Sequence, residues 1–175
     1  MEDHRDIIIS IHPEHVASII SRAKNHEFRN YLLPTSVKRL WIYETSPLSS
    51  IRYIATISHG KRPGEICNPH GLRNDEFDRG DLEGRVKFAY EILKLEQLPK
   101  SYSLSELKTK GWLKGAPQKY CFLKPAMREA TRTLPLHLVF GPDEQNLDMD
   151  HSKNVNSDDD ELASEQQSVD KSLKG

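Results

Sequence analysis

The chain has 175 residues, 36% hydrophobic and 29% charged, which leaves room for one core of ordinary size and a polar extension but crowds out a second domain. Its net charge of −1 conceals two different parts. Residues 142–175 contain ten acidic residues and three lysines, a net −7, so the preceding 141 residues carry +6. A moderately basic folded part permits a polyanionic partner.

Several classes of protein do not fit the sequence. Cys67 and Cys121 are the only cysteines and lack a Cys-x-x-Cys spacing, which indicates neither a disulfide framework nor a thiolate zinc site. The polar first five residues do not resemble a signal peptide. No segment approaches the roughly 20 apolar residues of a membrane helix. We therefore expect a cytosolic or nuclear protein in a reducing compartment, without a membrane partner.

The first predicted elements are a strand and a helix. Residues 6–11 are almost continuously β-branched, which predicts a strand buried on both faces. Pro13 suits the first turn of a helix, and Val16, Ile19 and Ile20 fall on one face of it. We expect this helix to reach about Ala23 or Lys24. A short extended segment over residues 28–33 follows.

The middle of the chain predicts two strands and a long excursion. The strands cover residues 37–44 and 51–58, and in the second we expect Ile51, Tyr53, Ala55 and Ile57 to share one face. Residues 59–64 are predicted as a loop from their glycines and proline. Residues 67–84 are expected to lie outside the main sheet, with one helical turn, and a loop of that length could cover a cleft.

The last third contains a strand over residues 86–96, closed by Pro99, and another over 120–123. Between them, Ser103 and Glu106 have the spacing of a capping box, which predicts a short helix ended by Gly111. A helical turn is expected over 126–130. The apolar segment from Leu134 to Phe140 could pack on the sheet or serve a partner.

These elements predict an α+β fold, a small mixed β-barrel of about five or six strands with helical caps. The predicted domain covers residues 1–141 with its core in 6–123. Residues 142–175 contain no aromatic and few large apolar side chains, so they cannot offset their ordering entropy and are predicted to form a disordered acidic tail.

The order of strand, helix and Lys24-x-x-Glu27-x-Arg29 resembles the ASCH domain of the PUA-like superfamily, whose signature is similar to Gly-x-Lys-x-x-Glu-x-Arg. Arg22 stands at the usual glycine position, so we expect a further turn of helix instead of a tight turn. Later segments are also similar to the family: Trp41-Ile42-Tyr43-Glu44-Thr45-Ser46-Pro47, Tyr90-Glu91-Ile92, Pro99, Leu104-Ser105-Glu106-Leu107 and Pro117-Gln118-Lys119-Tyr120.

The resemblance implies a cleft beside the first helix that binds RNA or a modified nucleotide without catalysis. In that cleft, the rigid fork of Arg29 could bind a phosphate or a base edge in two places, and Lys24 would act as a mobile point charge. Glu27 could hold either cation or accept a hydrogen bond from an exocyclic amine, as carboxylates do with cytosine.

Three further residues complete the predicted ligand site: Tyr43, Thr45 and Gln118. An aromatic ring in the cleft could stack on a base. Trp41 and Tyr43 are predicted to point to opposite faces of their strand, so at most one of them can line the cleft. Trp41 is the more expected in the core and Tyr43 the more expected near the ligand. His12, His15 and His26 lack a standard metal-ligand spacing, so no metal and no cofactor are predicted.

Two other functions remain open. Some PUA-like proteins are amidohydrolases that act on an acylated cytidine with lysine, threonine and glutamate. Lys24 matches their lysine, but Glu27 stands where they have threonine, and a carboxylate cannot simply replace a hydroxyl nucleophile. If the chain is a hydrolase, Lys24 and Glu27 are its candidate catalytic residues.

The third hypothesis is a protein-interaction module similar to the transcription cointegrators of the family, working through the segment from Leu134 to Phe140 or through the acidic tail. Lys61 and Arg62, in the loop predicted over residues 59–64, could contact phosphates. Ser157 precedes four acidic residues and resembles a site for acidophilic kinases. Phosphate there would add negative charge to a tail that could compete with nucleic acid for a basic cleft.

Overall fold

A computed structural model describes residues 3–142, in which seven strands and four short helices are present. The strands are β1 (Asp6–Ile11), β2 (His26–Arg29), β3 (Arg39–Glu44), β4 (Ser50–Lys61), β5 (Phe88–Ser103), β6 (Tyr120–Phe122) and β7 (His137–Phe140). The helices are α1 (Pro13–Ile20), α2 (Asn74–Asp78), α3 (Leu104–Thr109) and α4 (Pro125–Thr131). Within this part of the chain no helix is long and apolar enough to cross a membrane. The predicted disordered tail and Ser157 lie outside the described residues, apart from Pro142.

All seven strands belong to one mixed sheet that curls into a half-barrel, which confirms the predicted fold class. The strand order is β2-β5-β4-β3-β1-β6, and β7 pairs with β5 beside this path. β1 and β3 are parallel neighbours, and the other described pairs are antiparallel. A parallel pair needs a crossover, and here α1 and β2 lie within it.

The two faces of β1 pack into two different core clusters, as its unbroken apolar sequence predicts. Ile7 and Ile9 belong to the first cluster with residues from α1, and Ile8 belongs to the second with Trp41 and Tyr43. Each of these three isoleucines is fully buried. β1 is therefore a central strand, and its carboxyl end lies where the chain turns into α1.

α1 is shorter than predicted. It ends at Ile20, and the expected further turn over Arg22 does not form. Arg22 instead has a φ of 64°, in the left-handed region that glycine occupies most easily. The backbone N–H of Arg22 donates to the carbonyl of Ile19, and that of Lys24 donates to Ser18. The tight turn is kept with an arginine in the glycine position.

Two strands continue through residues that were predicted to end them. β4 runs to Lys61 because Gly60 opposes Tyr90 and packs closely: a Cβ at residue 60 would lie 2.9 Å from Leu32 Cδ1. Gly60 therefore allows close packing of Leu32 and Tyr90 against the strand, and it does not mark a loop. β5 passes Pro99, which lies between the paired residues Gln97 and Tyr102, where the register with β4 shifts and no ladder N–H is lost.

A bulge in β4 corrects the predicted face of Ile51. The register of both neighbouring strands shifts between Ile51 and Tyr53, so Ile51 turns to the second core cluster. Tyr53, Ala55 and Ile57 remain together in the first cluster, as predicted. The extra residue in the bulge, Arg52, interrupts the alternation of side chains along β4. Ile51, which precedes it, therefore points to the opposite face from the one that strict alternation predicts.

The segment from Leu134 to Phe140 packs back on the sheet. β7 pairs with β5, Phe140 is buried in the first core cluster, and Leu134 and Leu136 pack against the second. The ordered core therefore extends beyond Leu123, where it was expected to end. Binding of a protein partner by this segment stays a prediction. Its leucine and valine side chains are only partly exposed.

Ser103 caps α3 as the sequence predicts, with its Oγ accepting a hydrogen bond from the Glu106 N–H at 3.1 Å. We expect Ser103→Ala to lower the free energy of unfolding by about 1 kcal/mol, because a helix N–H loses its acceptor. Urea unfolding followed by circular dichroism measures this difference. Ser105→Ala, inside the same helix, is the matched control and should change stability by less than about 0.5 kcal/mol; equal effects of the two substitutions would contradict the capping role.

Candidate functional site

A cleft of about 460 Å³ opens beside α1. Five of the six predicted ligand residues line it: Lys24, Glu27, Arg29, Thr45 and Gln118. Its other lining residues come from the end of β1, from α1, from β2 and from the excursion between β4 and β5: Ser10, Ile11, His12, His15, Phe28, Leu72, Arg73 and Val86.

The centre of the cleft is the Glu27 carboxylate held between two cations. Lys24 Nζ lies 2.8 Å from Glu27 Oε2, and one terminal nitrogen of Arg29 lies 2.8 Å from Oε1. Lys24 and Glu27 are buried, with 8% and 5% of their surface exposed. Glu27 and Arg29 are two residues apart on β2 and so share a face, while the turn at Arg22 brings Lys24 alongside.

Arg29 also ties the ion pair to β1. The terminal nitrogen that contacts Glu27 donates to the carbonyl oxygen of Ser10 at 2.9 Å. Its Nε is buried and has no hydrogen-bond partner among residues 3–142. Buried donors are normally satisfied, so this unpaired N–H is an unusual feature of the site.

His12 and His15, for which the sequence predicts no role in ligand binding, also line the cleft. His12 Nδ1 lies 3.1 Å from Thr45 Oγ1, and the His12 and His15 rings are 6.1 Å apart. Burial, followed by the charge of Lys24, lowers the pKa of His15, which favours its neutral form. The available signal was their spacing of three residues at the start of a helix, which puts both on one face.

The excursion between β4 and β5 forms one wall. Leu72 and Arg73 reach the cleft, and both are exposed. The Leu72 N–H donates to the Ala23 carbonyl at 2.9 Å, and Asn74 Nδ2 donates to Asn25 Oδ1 at 2.9 Å. The helical turn predicted in this segment corresponds to α2, and the segment is fastened to the turn that carries Lys24.

The excursion has a small core of its own. Phe77 is 1% exposed, packs with Ile66 and Ala89, and lies 5.4 Å from the Phe28 ring. The Asp78 carboxylate accepts three backbone N–H groups, at 2.8–3.2 Å, from residues 64, 66 and 67. Without strands of its own, the wall is ordered by these contacts.

Tyr43 does not line the cleft, contrary to prediction. It is 2% exposed and packs in the second core cluster with Trp41. Residues 41 and 43 are two apart on β3 and therefore share a face, so one cannot turn to the cleft while the other packs in the core. Stacking of a base on Tyr43 is excluded by its burial.

His26 lies behind the site and is 2% exposed. Its Nδ1 is 2.8 Å from Asn25 Oδ1, and its Nε2 is 3.3 Å from Lys61 Nζ, which also pairs with Glu91 at 2.8 Å. Burial, followed by the Lys61 charge, lowers the pKa of His26 to about 4. Lys61 thus belongs to a strand and an ion pair, not to the predicted phosphate-binding loop, and it does not line the cleft.

A curated protein of Zymomonas mobilis subsp. mobilis, named ASCH domain-containing ribonuclease, is 37% identical to this chain over 113 residues. The match covers 61% of this chain and 76% of that protein. No family model matches the chain. Crystal structures of ZmASCH from Zymomonas mobilis and of its Ser-to-Ala variant have TM-scores of 0.57 and 0.58 to this fold at 22% and 23% identity. They cover 76% and 77% of this chain and 98% and 100% of theirs.

We expect Glu27→Gln to lower the free energy of unfolding by about 3 kcal/mol, because it leaves Lys24 and Arg29 facing each other without a buried counter-charge. Urea unfolding at pH 7 measures the loss. Glu129→Gln removes one partner of an exposed pair with Arg132 and should cost less than about 1 kcal/mol. A Glu27→Gln protein as stable as this control would show that the buried pair does not hold the site together.

Acid should destabilise the protein through His26. Its pKa is about 4 when folded and 6.5 when free, so the unfolded chain binds the proton first and stability falls as the pH drops from 6.5 towards 4. At pH 5 this one group should cost about 2 kcal/mol relative to pH 7. His26→Gln should remove that part of the pH dependence of urea unfolding, and His59→Gln, at an exposed position, should keep it. Identical pH profiles for all three proteins would overturn the assignment.

Proposed function

The chain belongs to the ASCH-domain family, and we propose that it binds single-stranded RNA in the cleft beside α1. The observation that carries the proposal is the buried carboxylate of Glu27, which fixes Lys24 and Arg29 at the floor of an open cleft. Arg73 adds a third cation at the wall. Three cations against one acid give the lining a net positive charge, which suits phosphate.

The cations differ in what they offer a ligand. Arg29 is anchored through Glu27 and Ser10, so it offers a phosphate or a base edge a positive charge in a fixed position. Arg73 is exposed and can follow a flexible backbone phosphate. Gln118 and Thr45 add amide and hydroxyl groups that can read the edge of a base. The arrangement supports phosphate positioning with a smaller contribution from base contacts.

The name of the 37%-identical relative supports RNA over a free modified nucleotide as the ligand. That relative is called a ribonuclease, so cleavage is a second candidate function, and the positions of two histidines favour it. His15, neutral through its lowered pKa, could take the proton from a ribose 2′-hydroxyl as that oxygen attacks phosphorus. His12 could protonate the departing 5′-oxygen, and Lys24 would stabilise charge on the phosphoryl oxygens.

Amidohydrolysis of an acylated cytidine has less support. Among the described residues that line the cleft, Glu27 is the single acid, and it is committed to two ion pairs. Lys24 is likewise held in an ion pair with Glu27, whereas a nucleophilic or basic lysine must be free to lose its proton. Turnover of an acetylated cytidine that disappears in Lys24→Ala would revive this hypothesis.

RNA binding can be tested with the Arg73→Gln variant, which removes a cleft cation without touching the buried ion pairs. We expect weaker binding of a labelled ten-nucleotide single-stranded RNA, and a slope of log affinity against log salt that is smaller by about 0.7, because one phosphate contact fewer releases fewer counterions. Fluorescence anisotropy at several salt concentrations measures both quantities.

Arg52→Gln is the matched control, since Arg52 is exposed on β4 and does not line the cleft. It should bind as the unchanged protein does. Equal affinities and slopes for both variants would contradict a phosphate site at Arg73, and no binding by the unchanged protein would refute the proposed function. Incubating the same RNA with His12→Gln and His15→Gln and separating the products on a gel distinguishes cleavage from binding alone.

A further inference from the structure

A row of four rings leads away from the cleft along β6. The ring centroids are 5.6 Å apart between Tyr31 and Tyr120, 5.9 Å between Tyr120 and Phe122, and 4.7 Å between Phe122 and His4. We call these four residues the aromatic strip. Tyr120 and Phe122 share one side of β6 because they are two residues apart, and Cys121 faces the second core cluster.

The strip begins at the cleft. The Arg29 guanidinium lies close enough to the Tyr31 hydroxyl to oppose the rise that burial causes in the pKa of Tyr31. The Tyr31 hydroxyl donates to the Lys119 carbonyl at 3.2 Å, and Lys119 directly follows the cleft residue Gln118. A nucleic-acid strand that ran out of the cleft past Arg29 would therefore meet Tyr31 first.

At the other end of the strip is a second, smaller pocket of about 190 Å³. His4 and Phe122 line it, with Lys124 and Arg128 also in its wall. Phe122 is 38% exposed, which makes it one of five exposed large hydrophobic residues in residues 3–142. A space of this size suits one planar ring and is too small for a helix.

Positive charge accompanies the rings. Lys119 Nζ lies 4.6 Å from the Tyr31 centroid and 5.6 Å from the Tyr120 centroid. Lys124 and Arg128 donate to backbone carbonyls, of Gly111 and Asp3, and their charges face one acid in the pocket wall, Asp3. Aromatic faces alternating with cations are the features by which proteins hold single-stranded nucleic acids, stacking bases on rings and pairing phosphates with lysine or arginine.

We propose that the aromatic strip is a second subsite for the same RNA strand, in which nucleotides flanking the one bound in the cleft stack on Phe122 and its neighbours. The inference rests on the proposed function and adds to it a direction of binding, from the cleft along β6. Continuity with the cleft and the surplus of positive charge select an RNA strand as the occupant over an apolar peptide.

The test compares uridine oligonucleotides of three and ten residues by fluorescence anisotropy. Phe122→Ala should bind the three-nucleotide RNA as the unchanged protein does and the ten-nucleotide RNA about fivefold or more weaker, since it loses a stacked base. Arg73→Gln should weaken both. Leu93→Ala, at another exposed apolar side chain on β5, is the matched control and should weaken neither.

A second measurement uses a ten-nucleotide RNA whose flanking positions lack bases. The unchanged protein should bind this RNA more weakly than the complete ten-nucleotide RNA, and the missing bases should have a smaller effect on binding by Phe122→Ala. If the three-nucleotide RNA binds but Phe122→Ala and missing bases have no effect, the strip is overturned while the cleft stands. Dissociation of a dimer by Phe122→Ala without an effect on RNA would make the strip a self-contact instead. No binding of either RNA by the unchanged protein refutes the cleft and the strip together.

Discussion

The geometry of the cleft depends on one buried carboxylate. Taking Glu27 out of water is costly unless its charge is matched, and here Lys24 and Arg29 each contact one of its two oxygens. Through Arg29 the same group reaches the carbonyl of Ser10, so the turn after α1, β2 and the end of β1 are held at a single point. A site built this way is preorganised, because its cations are in place before any ligand arrives.

The two sides of the cleft are constructed differently. One side consists of β1, α1 and β2. Residues of β1 and α1 pack in the main core, and Phe28 of β2 packs against the small core of the excursion. The other is the excursion, ordered by Phe77 and by the three hydrogen bonds to Asp78, and joined to the first side through the contact of Asn74 with Asn25. The wall is therefore ordered partly by its own contacts and partly by contacts with β2 and with the turn that carries Lys24.

The sequence was most informative where local chemistry and pattern agree. The β-branched run of β1, the proline that opens α1 and the Ser103 cap could all be located, and the charged motif led to three residues that meet in the cleft. Prediction failed where long-range packing decides. Gly60 resembles a loop residue until Tyr90 is placed against it, and the bulge beside Arg52 reverses Ile51 with no local signal. Tyr43 was misplaced although strand alternation already paired it with Trp41. The wall residues Leu72 and Arg73 were out of reach because only the folded excursion brings them to the cleft.

β5 has a divided edge. β2 covers residues 88–91 on it, and β7, which ends the described sheet, covers residues 95–97. A chain cut short before β7 would uncover backbone donors and acceptors in the middle of the longest strand and would also remove Phe140 from the core. Such an open ladder is a template for pairing with other molecules, so a shortened protein would tend to self-associate through β5. β7 thus prevents self-association through β5 in addition to completing the described sheet.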